Sequence, residues 1–174
     1  MKYVTIFGSS RLDDTNIHYK KAYEIATALA KAGYGVITGD AGGIMEAANR
    51  AAFEAGGESI GYNVVLPHEQ RANSYCNALV TMDNLRDRKH ALIKDSSAFI
   101  ILPGGFGTLD EVFEVMTLAQ TKIKEHKVVF VQSEFWSLLF EFFKRLADDG
   151  LIDYNSEFYR LIDDVDKILE FIKS

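Results

Sequence analysis

Short apolar runs alternate with longer segments of helical period along the chain. In the longer segments apolar residues recur every three or four positions, which is the period of a helix with one buried face. This alternation is typical of βαβ units and predicts an α/β fold of three layers, α/β/α, with a mostly parallel central sheet. The predicted strands are residues 3–7, 35–38, 59–65, 78–82, 98–102 and 127–131. The predicted helices are residues 19–32, 44–55, 85–94, 108–122, 135–148 and 165–173.

Two regions depart from the simple alternation. The last two predicted helices each carry a strongly apolar face, so we expect them to cover an edge of the sheet. Residues 66–77 are irregular and polar, and a connection of this length inside a compact fold is often functional. We expect Tyr75 and residues 67–70 to form either a lid over a ligand or a contact between subunits.

The composition is typical of a soluble globular protein and favours a single domain over residues 1–174. The chain has a formal net charge of −6 and no run of basic residues, so nucleic acid is not an expected partner. No apolar run is long enough to cross a bilayer, so no membrane partner is expected. Cys76 is the sole cysteine, which excludes an internal disulfide and favours a cytoplasmic location. The four histidines are scattered, and no metal site is expected.

In an open parallel sheet, ligands bind beyond the carboxyl ends of the strands, where the winding order reverses. Four predicted loops lie at that edge, and the chemically suggestive residues fall in them. They are residues 8–14, 39–43, 83–89 and 103–108. The sequence therefore predicts a small-ligand site formed by these loops.

The loop from Pro103 to Thr108 joins an apolar strand directly to a helix and contains three glycines. Glycines leave the backbone amides accessible, and the start of a helix attracts anions through these amides and the helix dipole. Thr108 is expected to cap the helix. The loop therefore predicts a phosphate site, against the alternative of a tight turn without a ligand.

Charged residues beside this loop are candidates for chemistry. Glu111 lies one helical turn after Thr108, so its carboxylate is expected to act as a general base or to stabilise a developing cation, unless it only contributes helix charge. Residues 86–89 are charged and begin the helix after the fourth strand. They are expected either to form a solvated face or to bind phosphate or ribose.

Four segments of the chain form a joint pattern. They are Gly8 to Ser10, Gly43 to Ala48, the pair Arg88 and Lys89, and Pro103 to Glu111. This pattern resembles the signature of the LONELY GUY (LOG) family, whose members have long been labelled lysine decarboxylases. The resemblance covers nearly the whole chain, and the joint pattern is far more specific than a lone glycine motif.

The resemblance implies a Rossmann-like homodimer without a cofactor that hydrolyses nucleoside 5′-monophosphates to a free base and ribose 5-phosphate. The base in this family is adenine or N6-prenylated adenine. Arg88 and Glu111 are the implied catalytic pair. The implied phosphate loop contains Pro103, Gly104, Gly105, Gly107 and Thr108. The other implied substrate-binding residues are Gly8, Ser9, Gly43, Met45, Glu46 and Lys89.

The chain departs from the family pattern after the second strand, where Asp40 and Ala41 replace residues of a glycine run. Asp40 is expected to repel phosphate, to bind a ribose hydroxyl or to change the accepted base, or else to cap the next helix. A second functional hypothesis is that the protein is a non-catalytic carrier of a nucleotide or of the molybdenum cofactor. A pyridoxal-phosphate decarboxylase is disfavoured because no lysine is evidently placed to form a Schiff base.

Overall fold

The computed structural model describes residues 1–67, 72–153 and 157–174. Within these residues, seven strands form one sheet in the order β4-β3-β2-β1-β5-β6-β7, and every neighbouring pair is parallel. This confirms the predicted α/β fold. The strands are β1 (Lys2–Phe7), β2 (Tyr34–Thr38), β3 (Ser59–Val64), β4 (Ala78–Met82), β5 (Ser96–Ile101), β6 (Lys127–Phe130) and β7 (Tyr159–Leu161).

Helices cover both faces of the sheet. The helices are α1 (Ile17–Lys31), α2 (Ile44–Glu54), α3 (Leu85–Lys94), α4 (Phe106–Gln120), α5 (Ser133–Asp148) and α6 (Val165–Lys173). Buried residues of α1, α2 and α6 share one hydrophobic cluster, and those of α3, α4 and α5 share another. Side chains of β5 alternate between the two, since Ile100 belongs to the first cluster and Ile101 to the second.

The C-terminal third differs from the prediction in two respects. The short strand β7 was not predicted, because three residues with half-buried or exposed side chains give no clear apolar run. The helices α5 and α6 do not lie together over one edge but pack on opposite faces of the sheet, with Phe143 of α5 against Tyr159 of the edge strand β7. Trp136 and Phe143 of α5 join one cluster, whereas Ile168 and Ile172 of α6 join the other. Strand β7 itself extends the sheet beyond β6.

The topology places the loops that precede α2, α3 and α4 at one edge of the sheet. Because all strand pairs are parallel, their carboxyl ends meet there. The chain winds outward from β1 through β2, β3 and β4, and then returns to place β5 on the other side of β1. The reversal point lies between β1 and β5, where a ligand crevice is expected. No helix in the described segments is both long and apolar enough to cross a bilayer.

Candidate functional site

A cleft of about 540 Å³ opens at this reversal point. It is formed by the loops after β1 and β5, the first turns of α2 and α4, and one side chain of α3. The lining residues are Gly8, Ser9, Ser10, Arg11, Met45, Arg88, Gly105, Phe106, Gly107, Thr108 and Glu111. Residues of three of the four predicted loops line this cleft, whereas residues 39–43 do not.

Backbone hydrogen bonds hold the walls of the cleft together. The Ser9 amide donates to the Pro103 carbonyl at 3.0 Å, and the Ile44 amide donates to the Ser9 carbonyl at 2.9 Å. Gly43 makes the second contact possible. Its φ is +63°, and a Cβ there would lie 2.3 Å from the Ser9 carbonyl oxygen. The loop after β1 is thereby attached to both neighbouring loops.

The N-terminus of α4 is open to the cleft. The helix begins at Phe106, and its N-cap, Gly105, makes no capping hydrogen bond from a side chain. The amides of Phe106, Gly107 and Thr108 donate to no acceptor within the described residues. A Cβ at Gly105 or Gly107 would meet no atom within 4 Å. Unpaired amides at a helix start, with no side chain in front of them, are suited to bind an anion.

Thr108 is not the helix cap that the sequence suggested. It is the third residue of α4 and is buried, and its hydroxyl lies against Gly104. A Cβ at Gly104 would come within 2.1 Å of the Thr108 Oγ1, so only glycine allows this approach. Gly104 thus allows the close approach of Thr108, and the absence of side chains at Gly105 and Gly107 keeps the cleft open.

Glu111 lies one turn into α4 with its half-buried side chain in the cleft. The pKa of its carboxyl is raised to about 8, mainly by burial and to a lesser degree by the nearby charge of Asp110. The positive charges of Arg88 and Lys89 oppose this shift. A carboxyl with a pKa near neutrality, in a cleft, has the property expected of a proton-transfer group.

Arg88 reaches the cleft from α3 and is held by the backbone. Its Nε donates to the Tyr62 carbonyl at 2.8 Å, and its Nη2 donates to the Gly39 carbonyl at 2.7 Å. Burial lowers the pKa of Arg88, while the charges of Glu111 and Asp40 oppose that shift. Among the described residues, the charged atoms of Arg88 and Glu111 do not approach within 4 Å. Glu111 is therefore not neutralised by a direct ion pair.

The structure brings together most, but not all, of the residues that the sequence singled out. Those in the cleft are Gly8, Ser9, Met45, Arg88, Gly105, Gly107, Thr108 and Glu111. Those outside its lining are Gly43, Glu46, Lys89, Pro103 and Gly104. Gly43 and Pro103 support the walls through the backbone contacts given above, and Gly104 leaves room for the Thr108 side chain. Glu46 instead accepts a hydrogen bond from the Tyr19 hydroxyl at 3.2 Å.

Lys89 points away from the cleft. Its Nζ pairs with Asp110 at 3.0 Å and with Glu114 at 2.8 Å. These three residues line a second groove, between α3 and α4. The side chain is thus engaged in linking two helices and is not directed at the candidate site.

Three lining residues, Ser10, Arg11 and Phe106, lie in loops predicted at the ligand-binding edge but were not among the predicted site residues. Phe106 is 93% exposed although it is aromatic. Ser10 and Arg11 follow directly after two residues that were predicted to bind the ligand. The available signal was their position in a loop at the ligand-binding edge, and the charge of Arg11.

Asp40 does not lie in the cleft and does not cap α2. It is fully buried with a φ of +54°, and its carboxylate accepts from the Asn63 Nδ2 and from the Cys76 thiol, each at 3.2 Å. The N-cap of α2 is Gly43. Burial raises the pKa of Asp40, and the hydrogen bonds from Cys76 and Asn63 oppose the shift. Asp40 therefore joins the loop after β2 to the segment before β4.

The expected lid falls partly outside the described residues, since residues 68–71 are not among them. Tyr75 is described and lies elsewhere than the cleft. Its ring contacts Phe53 edge-on at 6.4 Å between centroids, and the Arg50 guanidinium lies 5.7 Å from its centroid. Within the described residues no group of three or more histidine, cysteine or acidic side chains is placed to hold a metal ion.

The chain matches a known protein family. Residues 45–172 match a family described as "Possible lysine decarboxylase". The chain belongs to this family. It is the family that the motif pattern indicated, because curated relatives carry the LOG name.

Two curated relatives of this family come from Arabidopsis thaliana. Cytokinin riboside 5′-monophosphate phosphoribohydrolase LOG5 is 28% identical over 155 residues, which cover 87% of this chain and 68% of the relative. LOG1, with the same enzyme name, is 29% identical over 155 residues, which cover 87% of this chain and 72% of the relative. Both relatives are thus named as phosphoribohydrolases.

A solved structure shows the same fold. The molybdenum cofactor binding protein of the phototrophic bacterium Rippkaea orientalis superposes with a TM-score of 0.71 at 24% identity. The match covers 98% of this chain and 93% of that protein. The fold of the LOG family chain is therefore shared with a protein whose name denotes cofactor binding.

Proposed function

We propose that the protein hydrolyses the N-glycosidic bond of a nucleoside 5′-monophosphate, AMP or N6-modified AMP, to a free base and ribose 5-phosphate. The observation that carries the proposal is the position of Glu111 in one cleft with the unpaired amides of α4. The amides supply an anion site, and the carboxyl supplies a group for chemistry on the attached sugar.

In this proposal, different groups of the cleft act on the phosphate and on the ribose of the substrate. The phosphate binds at the amides of Gly107 and Thr108, and this binding positions the ribose deeper in the cleft. Cleavage breaks the bond between C1′ and the base nitrogen, while a water oxygen forms a new bond to C1′. Positive charge develops on the ribose ring, and the ionised carboxylate of Glu111 stabilises it and accepts the proton of the attacking water. The leaving base takes up a proton from solvent and Glu111 releases its proton to solvent, so one water is consumed for each bond broken.

Arg88 acts beside Glu111 in this proposal. Two carbonyls hold its guanidinium, so its charge has a defined position in the half-buried site. That charge lowers the pKa of Glu111 against the effect of burial, which favours the carboxylate needed for catalysis. The names of the LOG relatives from Arabidopsis thaliana support the same reaction class.

An assay for free base tests the proposal. The purified protein is incubated with AMP, and adenine and ribose 5-phosphate are quantified by chromatography. We expect equal amounts of both products, and a fall in kcat of about 10²–10⁴-fold in the Glu111→Gln variant. The exposed Glu141→Gln substitution on α5 is the matched control. If Glu111→Gln retained the wild-type rate with every nucleotide tested, the catalytic role would be wrong.

The pH profile adds an independent check. Glu111 has a pKa of about 8 and must be ionised to act as proposed. We therefore expect kcat/KM for AMP to rise about tenfold per pH unit below pH 8 and to level off above it. A profile that is flat between pH 6 and 9 would contradict the assignment of Glu111 as the base.

A non-catalytic carrier is the second candidate function, favoured by the fold shared with the molybdenum cofactor binding protein. The same cleft would then bind a phosphorylated ligand without turnover. The two functions differ in one measurement, because a carrier binds AMP or another phosphorylated ligand and releases no adenine over prolonged incubation.

We also propose that the protein acts as a homodimer in the cytoplasm. Phe106, at the mouth of the cleft, is 93% exposed, and Phe113, two turns along α4, is 46% exposed, so this helix carries two large apolar side chains in contact with solvent. Large exposed apolar side chains grouped together are typical of interfaces. Light scattering on the purified protein is expected to give twice the mass of the chain, and Phe113→Lys is expected to lower that mass.

A further inference from the structure

We infer that Arg11 is the side chain that binds the ligand's phosphate, together with the amides of α4. The inference deepens the proposed function and rests on it for the nature of the ligand. Neither the motif pattern nor the family resemblance singled out Arg11. Its assignment comes from the way the structure distributes positive charge around the cleft.

Arg11 lies in the loop after β1 and lines the cleft beside the start of α4. Its amide donates to the Ser9 Oγ at 3.1 Å, and Ser9 in turn is bonded to the neighbouring loops. The backbone that carries Arg11 is therefore anchored. The guanidinium itself makes no hydrogen bond or ion pair with any described residue, so all its donors are available to a ligand.

The other two cations near the site are already engaged. Arg88 uses its Nε and Nη2 on the carbonyls of Tyr62 and Gly39. Lys89 pairs with Asp110 and Glu114 in a different groove. Within the described residues, Arg11 is thus the cleft-lining cation without an acceptor of its own.

A phosphate in this cleft needs such a cation. The chain has a net charge of −6, and Glu111 adds an acid to the cleft itself. The amides of α4 contribute partial charge only, equivalent to about half an elementary charge at a helix start. A guanidinium binds phosphate through two parallel hydrogen bonds, and charged hydrogen bonds of this kind are about twice as strong as neutral ones. Arg11 would therefore select phosphorylated over unphosphorylated ligands.

Calorimetric titration with ribose 5-phosphate tests the inference without requiring turnover. We expect Arg11→Gln to weaken binding by about 10-fold or more, and Arg11→Lys to weaken it less. The matched control is Arg145→Gln on α5, whose guanidinium pairs with Asp149. We expect the control to bind ribose 5-phosphate like the wild type. Thermal unfolding followed by circular dichroism verifies that each variant is folded.

Three results would overturn the assignment. They are wild-type affinity in Arg11→Gln, an equal loss in Arg145→Gln, and a wild-type protein that does not bind ribose 5-phosphate. A loss confined to Lys89→Gln would instead restore the role implied by the family resemblance. The substrate dependence is a second readout, since Arg11→Gln is expected to raise KM for AMP but not for adenosine.

Failure of the inference is distinguishable from failure of the proposed function. If AMP is hydrolysed and Arg11→Gln changes neither the KM for AMP nor the affinity for ribose 5-phosphate, the reaction stands and the role of Arg11 is wrong. If AMP is not hydrolysed but ribose 5-phosphate binds in an Arg11-dependent manner, the role of Arg11 stands and the hydrolase proposal is wrong.

Discussion

The loops after β2 and β5 begin at the same edge of the sheet and are both rich in glycine, yet their environments differ. The loop after β5 leaves Gly105 and Gly107 with open space where a Cβ would stand. In the loop after β2, a Cβ on Gly39 would lie 1.8 Å from the Arg88 Nη2. The next residue, Asp40, is fully buried and bonded to Asn63 and Cys76.

This difference shows that glycine-rich loops at a ligand-binding edge can have two distinct roles. After β5 the glycines leave amides bare for a ligand. After β2 the backbone forms hydrogen bonds within the protein, because the Gly39 carbonyl accepts a hydrogen bond from the Arg88 guanidinium and holds it in place. One loop thus forms the binding surface, and the other positions a side chain of that surface.

The largest expected effect comes from placing a negative charge in the open loop. Gly107→Asp adds a carboxylate where a Cβ meets no atom within 4 Å, so the fold has room for it. Repulsion of a phosphate by a like charge amounts to several kcal/mol, which corresponds to a loss of about 10²–10³-fold in kcat/KM for AMP. Steady-state kinetics with AMP measure the loss.

The stability of Gly107→Asp is the control. An acid in the first turn of a helix interacts favourably with the dipole, so the free energy of unfolding should stay within about 1 kcal/mol of the wild type. Full activity in the folded variant would show that no anion binds at this helix start.

The next effect concerns Glu111 and depends on pH. Its pKa is raised from 4.5 to about 8 in the folded protein, so the folded state holds the proton more tightly than the unfolded chain. The wild type therefore loses stability as pH rises from 4.5 to 8. We expect Glu111→Gln to raise the free energy of unfolding by about 2–4 kcal/mol at pH 9.

Urea unfolding at pH 4.5 and pH 9 measures this difference. The gain in the free energy of unfolding should be nearly absent at pH 4.5, where the Glu111 carboxyl is protonated in the folded state. The charge-matched Glu141→Gln variant separates the effect from a general loss of one negative charge. A gain of equal size at both pH values would show that burial of the Glu111 charge is not its cause.

Gly39→Ala probes the closed loop. The new methyl group would displace the Arg88 guanidinium and its hydrogen bond to the Gly39 carbonyl. We expect the free energy of unfolding to fall by about 1–3 kcal/mol and the activity to decrease with it. Gly107→Ala is the matched substitution in the open loop and should leave stability unchanged or raise it by up to about 1 kcal/mol. Equal stability of the two variants would remove the contrast between the loops.

The smallest effect is expected at Lys89, which lies outside the cleft. Lys89→Gln removes its partly exposed ion pairs with Asp110 and Glu114. Such pairs contribute about 0–1 kcal/mol each, so the free energy of unfolding should fall by no more than about 2 kcal/mol. The KM for AMP should change less than twofold. A KM that rises as much as in Arg11→Gln would place Lys89 in the ligand site.

Much of the fold follows from local patterns. Six of the strands and all six helices of the described residues were predicted near their observed positions, because each has a continuous apolar run or a helical stripe. Strand β7 has neither and was missed. The start of α4 was placed two residues late, at Thr108, because threonine is a good capping residue and the observed cap is Gly105.

The candidate site was predictable to a lesser degree. The loop from Pro103 to Thr108 and the spacing to Glu111 were sufficient to place both in one cleft. The direction of Lys89 was not predictable, since it depends on the acids that α4 presents to α3. Arg11 belongs to no motif, and its availability depends on which acids the fold brings near it; none of the described acids pairs with it, and no local pattern reports this.

The sequence alone determined that strands and helices alternate, and that a glycine-rich loop followed by an acid ends at the ligand edge of a parallel sheet. Only the tertiary structure decided that Asp40 is buried, that Arg88 is held by two carbonyls and that the Arg11 guanidinium has no partner among the described residues. The reason is physical. Secondary structure depends on near neighbours along the chain, whereas the pKa of Glu111 and the partners of each charge depend on solvent exclusion and on distances between residues far apart in sequence.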